Sequence, residues 1–190
     1  RLAQRADAIA MTLAASQRER QAIRYAALMH DVGKIGVPEK VLLKRGALNE
    51  WERARMREHA RLGAEIVSQV EALADVAVLI YHHHERYDGT GYPDGLGGER
   101  IPLGARILAV VDAYDALTNP RPYRRPLTPE QALRVIEGES GKQFDPRVVA
   151  LLRAIVEAER LHRPDGGNGH DKHPSAAATI VPGRQPIRHG

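Results

Sequence analysis

HHHERYDGTGYP, from His82 to Pro93, sets three adjacent imidazoles at the end of an apolar run, then breaks into a loop carrying Gly89, Gly91, Pro93, Gly95, Gly97 and Gly98. Imidazole is the commonest protein metal ligand, and glycine and proline give a loop dihedrals that other residues resist. Chemistry and a backbone break therefore sit together. Histidines closing a helix read equally well as a polar helix end, so the meaning of this stretch depends on what the rest of the chain brings to it.

Outward from it the periodicity is helical. Residues 72–84 are almost wholly apolar and predict a buried helix leading into the histidines, and Leu103 to Leu117 (LGARILAVVDAYDAL) predicts another, stopped by Asn119, Pro120 and Pro122. Towards the N-terminus, Leu2, Ala6, Ile9, Ala10 and Leu13 share one face within residues 1–16, and a second helix runs from about Glu19 to His30, ended by Gly33. Asn49 with Glu52 forms a capping-box pattern opening a long helix to about Val70, with Met56, Leu62, Gly63, Ile66 and Val67 on one side. Thr128-Pro129-Glu130 and Asp145-Pro146 open two more. With no strand alternation anywhere, the expected fold is all-α, a helical bundle of about seven helices with a glycine-rich loop.

The chain has 190 residues, 43% of them hydrophobic, enough for one sizeable core over 1–161. From His162 onward Gly, Pro, His, Ser and Ala dominate, too poor in large apolar groups to order, so 162–190 is expected to be a disordered tail. There is no cysteine, which excludes disulfides and thiolate metal sites, and no apolar run approaches the ~18 residues of a membrane span. The chain reads as soluble and cytoplasmic. A net charge of +4 with only 4% aromatics gives no basic, aromatic-studded stripe for nucleic acid, whereas a small anionic ligand fits.

The decisive question is which helix face each polar residue occupies. His30 lies seven after Ile23, His59 seven before Ile66, His83 seven after Val76, His84 seven after Ala77, and Asp112 four after Leu108. Residues at these spacings share a side, so four helices carry imidazole or carboxylate on stripes that should face the core. One such histidine is an ordinary core residue; a converging set costs free energy unless it is paired. Histidines joined by carboxylates without sulfur suit iron, manganese, nickel or zinc. The run HDVGKIGVP, from His30 to Pro38, adds a terminal ligand, an Asp31 able to bridge two cations, and a Lys34 suited to a phosphoryl oxygen.

HDVGKIGVP, REHARLG around His59, HHERYDGTGYP, VVDAYDALT around Asp112, RPYRR after it and GKQFDP from Gly141 together resemble the HD-GYP subgroup of the HD phosphohydrolase superfamily over about residues 1–161. That resemblance implies an α-helical domain whose two or three divalent metals, usually iron or manganese, hydrolyse the bacterial second messenger cyclic di-GMP to pGpG and sometimes to GMP by attack of a metal-activated hydroxide on phosphorus. It implies metal ligation by His30, Asp31, His59, His83, His84 and Asp112, with Asp31 and Lys34 catalytic. It implies substrate contacts from Lys34, Gly91, Tyr92, Pro93, Arg121 and Arg124, and leaves His82 structural. It further implies contacts of the GYP loop with diguanylate cyclase domains and an upstream receiver or sensory domain. The family's first helix normally opens with a further ligand His about thirty residues before the HD pair, which falls just before Arg1, so the first helix is expected to be truncated. Two other readings stay open: a hydrolase of another cyclic dinucleotide such as 3′3′-cGAMP, and a degenerate module that binds cyclic di-GMP or a cyclase without catalysis.

Overall fold

The computed structural model describes residues 1–120 and 125–161, and every structural statement below concerns these. Arg121 and Arg124, assigned above to substrate, and the segment 162–190, expected to be a tail, lie outside the described residues.

Eight α-helices follow one another: α1 (Leu2–Thr12), α2 (Gln17–Met29), α3 (Glu39–Leu42), α4 (Glu50–Ser68), α5 (Ala74–His82), α6 (Leu103–Thr118), α7 (Pro129–Gly138) and α8 (Pro146–Leu161). Short 3-10 turns cover Val32–Gly36, Glu71–Leu73 and Gly98–Arg100, and the described residues contain two isolated bridges but no strand. The all-α expectation holds. The one helix not anticipated is α3, a single turn whose four residues are too few to leave a periodic signature.

Side-chain capping explains four of the eight starts. Ser16 accepts from Glu19 N, Asn49 from Glu52 N and Thr128 from Gln131 N, each in a reciprocal capping box. Asp145 accepts from Arg147 N at 2.8 Å and so caps α8.

The buried helix α6 forms the centre: Ala105, Ile107, Leu108, Val110 and Val111 are at most 1% exposed, and α1, α2, α5, α7 and α8 pack round it. Gly104 permits this, since a Cβ there would meet Leu79 Cδ1 at 2.7 Å and Ile23 Cγ1 at 2.8 Å. Buried Asp145 also accepts from Arg106 Nη1 at 2.7 Å, tying α6 to the start of α8. One expectation fails: Ile66, assigned to the inner side of α4, is 44% exposed, because the buried face is Ala60, Gly63, Ala64 and Val67. That face uses small residues, which a search for large apolar groups undervalues.

Candidate metal centre

Each candidate ligand reaches the centre from the end or the middle of a helix. His30 is the C-cap of α2, Asp31 opens the 3-10 turn that follows, His59 lies within α4, His83 caps α5 with His84 next to it, and Asp112 lies in α6. Two glycines allow α4 to meet the HD turn closely. A Cβ on Gly33 would fall 2.0 Å from the His59 carbonyl oxygen and 2.4 Å from Gly63 N, so glycine is required after His-Asp for backbone contact rather than for unusual dihedrals.

His83 lies in the middle of the group. Its ring centroid is 5.5 Å from that of His30, 5.4 Å from His59 and 3.9 Å from His84. On one side, one ligating atom from each of His59, His83 and His84 lies within 4.8 Å of the others, and His84 Nε2 is 3.1 Å from His59 Nε2. On the other side His30 Nε2 lies 3.5 Å from Asp112 Oδ1 and 3.7 Å from Asp31 Oδ2. Lys34 Nζ donates to Asp31 Oδ2 at 2.6 Å. All six expected ligands and Lys34 therefore gather in one place. The Asp31 side chain is 47% exposed, so the group opens on one side to solvent.

The tautomers follow from hydrogen bonding. The Nδ1 of His30, His59 and His83 lies 3.2, 2.5 and 2.6 Å from the carbonyl three residues earlier, respectively Ala27, Met56 and Ile80. A carbonyl only accepts, so each Nδ1–H donates; the Nε2 of His59 and of His83 then presents its lone pair to the shared space, whereas His30 Nε2 faces the Asp112 and Asp31 carboxylates. This is the orientation that outer hydrogen bonds give to metal-ligating histidines. His83 Nε2 is buried and has no hydrogen-bond partner. An orphaned buried lone pair aimed at other lone pairs is costly unless a cation receives it, so this donor set fits a divalent metal of the nitrogen-and-oxygen-binding kind.

Burial drives the imidazoles towards the neutral, ligand-competent form: the pKa of His83 falls to about 4 and that of His84 to about 2, with His59 also lowered. For His30 burial works in the same direction, but Asp112 and Asp31 outweigh it and its pKa is raised. Burial raises Asp112, yet the His30 hydrogen bond and the surrounding imidazoles leave it lowered overall.

The glycine-rich loop forms a wall beside this group. Gly91 is crowded, since a Cβ there would lie 2.3 Å from Arg86 N, and this tight return lets Tyr92 stack on His84 with centroids 5.0 Å apart and planes at 27°. The Tyr92–Pro93 peptide is cis. Arg57 of α4 lays its guanidinium carbon 4.9 Å from the Tyr92 ring centroid.

Two elements that hold the loop were not singled out from the sequence. Buried Glu85 accepts from Asp94 N at 2.8 Å and Leu96 N at 3.1 Å, cinching both sides of the turn. The GKQFDP motif, noted above without a role, supplies carbonyls: Tyr87 N donates to Gln143 O and Asp88 N to Lys142 O. A carboxylate placed directly after three histidines at the mouth of a glycine loop was the available signal for Glu85.

An all-helical bundle that gathers imidazoles and carboxylates at one solvent-facing centre is a protein able to hold a cation. Residues 1–148 match the HD domain family, and the chain belongs to that family, with the HD-GYP motifs in place. It is 46% identical over 164 residues to the cyclic di-GMP phosphodiesterase response regulator RpfG of Xanthomonas campestris pv. campestris, covering 85% of this chain and 43% of that protein. It is 40% identical over 163 residues to a cyclic di-GMP phosphodiesterase of Thermotoga maritima, covering 80% of this chain and 44% of that one. The chain thus spans less than half the length of these curated relatives. A crystal structure of a cyclic GMP-AMP specific phosphodiesterase of V. cholerae superposes with TM-score 0.65 at 23% identity, over 84% of this chain and 44% of that one, a likeness of fold.

Proposed function

We propose that this chain is the catalytic part of a metal-dependent phosphodiesterase that hydrolyses cyclic di-GMP to pGpG and onward to GMP, working in the bacterial cytoplasm. The observation that supports this most is the arrangement of His59, His83 and His84, whose ligating atoms lie within 4.8 Å of one another, beside the Lys34–Asp31 pair. His59, His83, His84, His30, Asp31 and Asp112 would hold two divalent cations, iron or manganese being the best matches to the ligands and the family. Bound there, such cations supply Lewis acidity, lowering the pKa of water and offsetting phosphate charge.

The chain's own groups do the rest. Asp31, the most open carboxylate of the set, would help hold the cations and meets Lys34, whose ammonium would neutralise charge developing on a phosphoryl oxygen. Neutral His83 and His84 stay unprotonated and competent as ligands at ordinary pH. Gly91, Tyr92 and Pro93 shape the wall against which the dinucleotide rests, and Arg121 and Arg124 would contact its phosphates. The same GYP loop is the proposed contact for diguanylate cyclase domains, and a receiver or sensory domain upstream would supply control.

Separation of products by chromatography tests this: purified protein with iron or manganese converts cyclic di-GMP to pGpG, and Asp31→Ala abolishes both conversion and part of the metal content. Intact turnover in Asp31→Ala would contradict it. A second reading, hydrolysis of 3′3′-cGAMP, draws on the 39% identity over 156 residues to the 3′3′-cGAMP-specific phosphodiesterase 3 of Vibrio cholerae, and side-by-side turnover of the two dinucleotides separates the readings.

A further inference from the structure

We infer that Arg57 is a substrate-binding residue, holding the phosphodiester of the cyclic dinucleotide that is not being cleaved. This rests on the proposed phosphodiesterase reading and adds a contact to it.

Three observations carry the inference. First, position: Arg57 lies on α4 two residues before His59, and its guanidinium carbon is 4.9 Å from the centre of the Tyr92 ring, which itself stacks on His84. The cation is thereby held next to the imidazole group rather than left to sweep through solvent. Second, availability: on the same helix Arg55 pairs with Glu58 and Arg61 with Glu65, whereas Arg57 forms no ion pair among the described residues. An arginine held by a ring face and not by a carboxylate keeps its planar fork of donors open to an anion. Third, charge: Lys34, the other side-chain cation placed at the centre among the described residues, is already engaged with Asp31 at 2.6 Å.

The chemistry then assigns the two cations to different phosphates. A cyclic dinucleotide carries two phosphodiesters in one ring, so fixing one over the metal group with Lys34 leaves the second, still anionic, to be met elsewhere in the cleft, where Arg57 would join the contacts proposed for Arg121 and Arg124. A guanidinium meets a phosphate with two parallel charge-assisted hydrogen bonds, which a lysine cannot reproduce. Arg57, anchored on Tyr92, stands on the glycine-loop side of the centre with that capacity open. The inference also gives Tyr92 a task besides forming the wall: it orients the guanidinium.

The test compares Arg57→Ala and Arg57→Lys with the parent protein, each loaded with manganese and checked for metal content. The readouts are the KM and kcat for cyclic di-GMP, the inhibition constant of linear GpG, which has both guanines but one phosphodiester, and turnover of bis(p-nitrophenyl) phosphate. The expected result for Arg57→Ala is a KM for cyclic di-GMP raised about tenfold, more than the GpG inhibition constant rises, with kcat falling far less and metal content equal to the parent's. Arg57→Lys recovers part of the loss. Equal weakening of cyclic di-GMP and GpG would assign Arg57 to a base and overturn the phosphate assignment, as would an unaltered KM or a loss of metal. A parent protein that cleaves bis(p-nitrophenyl) phosphate but no cyclic dinucleotide would instead overturn the proposed function, and the assignment of Arg57 with it.

Discussion

His84 Nε2 faces His59 Nε2 at 3.1 Å, across the gap between the end of α5 and the middle of α4. His59 gives its Nδ1 proton to the Met56 carbonyl, so the atom it turns to His84 carries a lone pair. The lowered pKa of both rings keeps them neutral, so without a cation the His84 Nε2–H tautomer donates to that lone pair, and a bound cation would take the place of that proton.

The pair can be broken from either side. His59→Ala and His84→Ala should each lower the bound metal, measured by plasma emission spectroscopy, by more than the ~10–100-fold affinity loss typical of removing an outer hydrogen-bond partner of a ligand. His82→Ala, whose ring lies against Glu85, should retain metal close to the parent level.

The imidazoles also set a pH dependence for metal-stripped protein. His83 has its folded pKa depressed from 6.5 to about 4, so between those values the unfolded chain binds a proton that the folded one refuses, and stability falls as pH falls through that window. For His83 alone the loss is about 3 kcal/mol at the acid end. His84 and His59 act in the same sense, while the raised His30 contributes stability below 6.5 that is lost as pH rises through its folded value. Asp112, lowered below 3.8, contributes stability present above that value and lost only at more acid pH. Chemical denaturation of chelator-treated protein should show falling stability from pH 6.5 to 4, flattened in His83→Asn.

Gly33→Ala should be severe. The added methyl would sit 2.0 Å from the His59 carbonyl oxygen, a backbone atom that cannot move without moving α4, so a loss on the order of 3 kcal/mol is expected, together with weaker metal binding. Gly138→Ala, with nothing within 4 Å of the new carbon, should be neutral or stabilising by about 0.5 kcal/mol. Thermal unfolding of both variants makes the comparison.

Glu85→Ala removes the acceptor for Asp94 N and Leu96 N and should loosen the glycine loop more than it lowers global stability. Limited proteolysis should cut between Asp88 and Gly98 faster than in the parent, and the KM for cyclic dinucleotide should rise with metal content held.

The helices and the candidate ligands were legible in the sequence because both obey short-range rules. Seven-residue spacing from buried Ile23 and Val76 put His30 and His83 on inward faces, whereas the residue paired with His59 at that spacing, Ile66, is exposed; the capping box at Asn49 and the cap before a proline at Thr128 stood out as written. What could not be read depends on contacts between distant residues. Nothing near Gly33 says that Gly63 will touch it, and the service of Gln143 and Lys142 as loop anchors exists only once the fold has brought the connection between α7 and α8 beside Tyr87 and Asp88. The placement of Ile66 failed for a related reason: α4 buries the face that carries Ala60, Gly63, Ala64 and Val67, and at Gly63 the HD turn comes too close for a side chain.

The most direct test of the central claim, that these imidazoles and carboxylates converge to hold cations, is elemental analysis of untagged protein purified with iron or manganese supplied. About two equivalents per chain, lost together in His83→Ala, is the expected result. Protein that folds normally yet retains no metal, with the His83 variant indistinguishable from the parent, would contradict it.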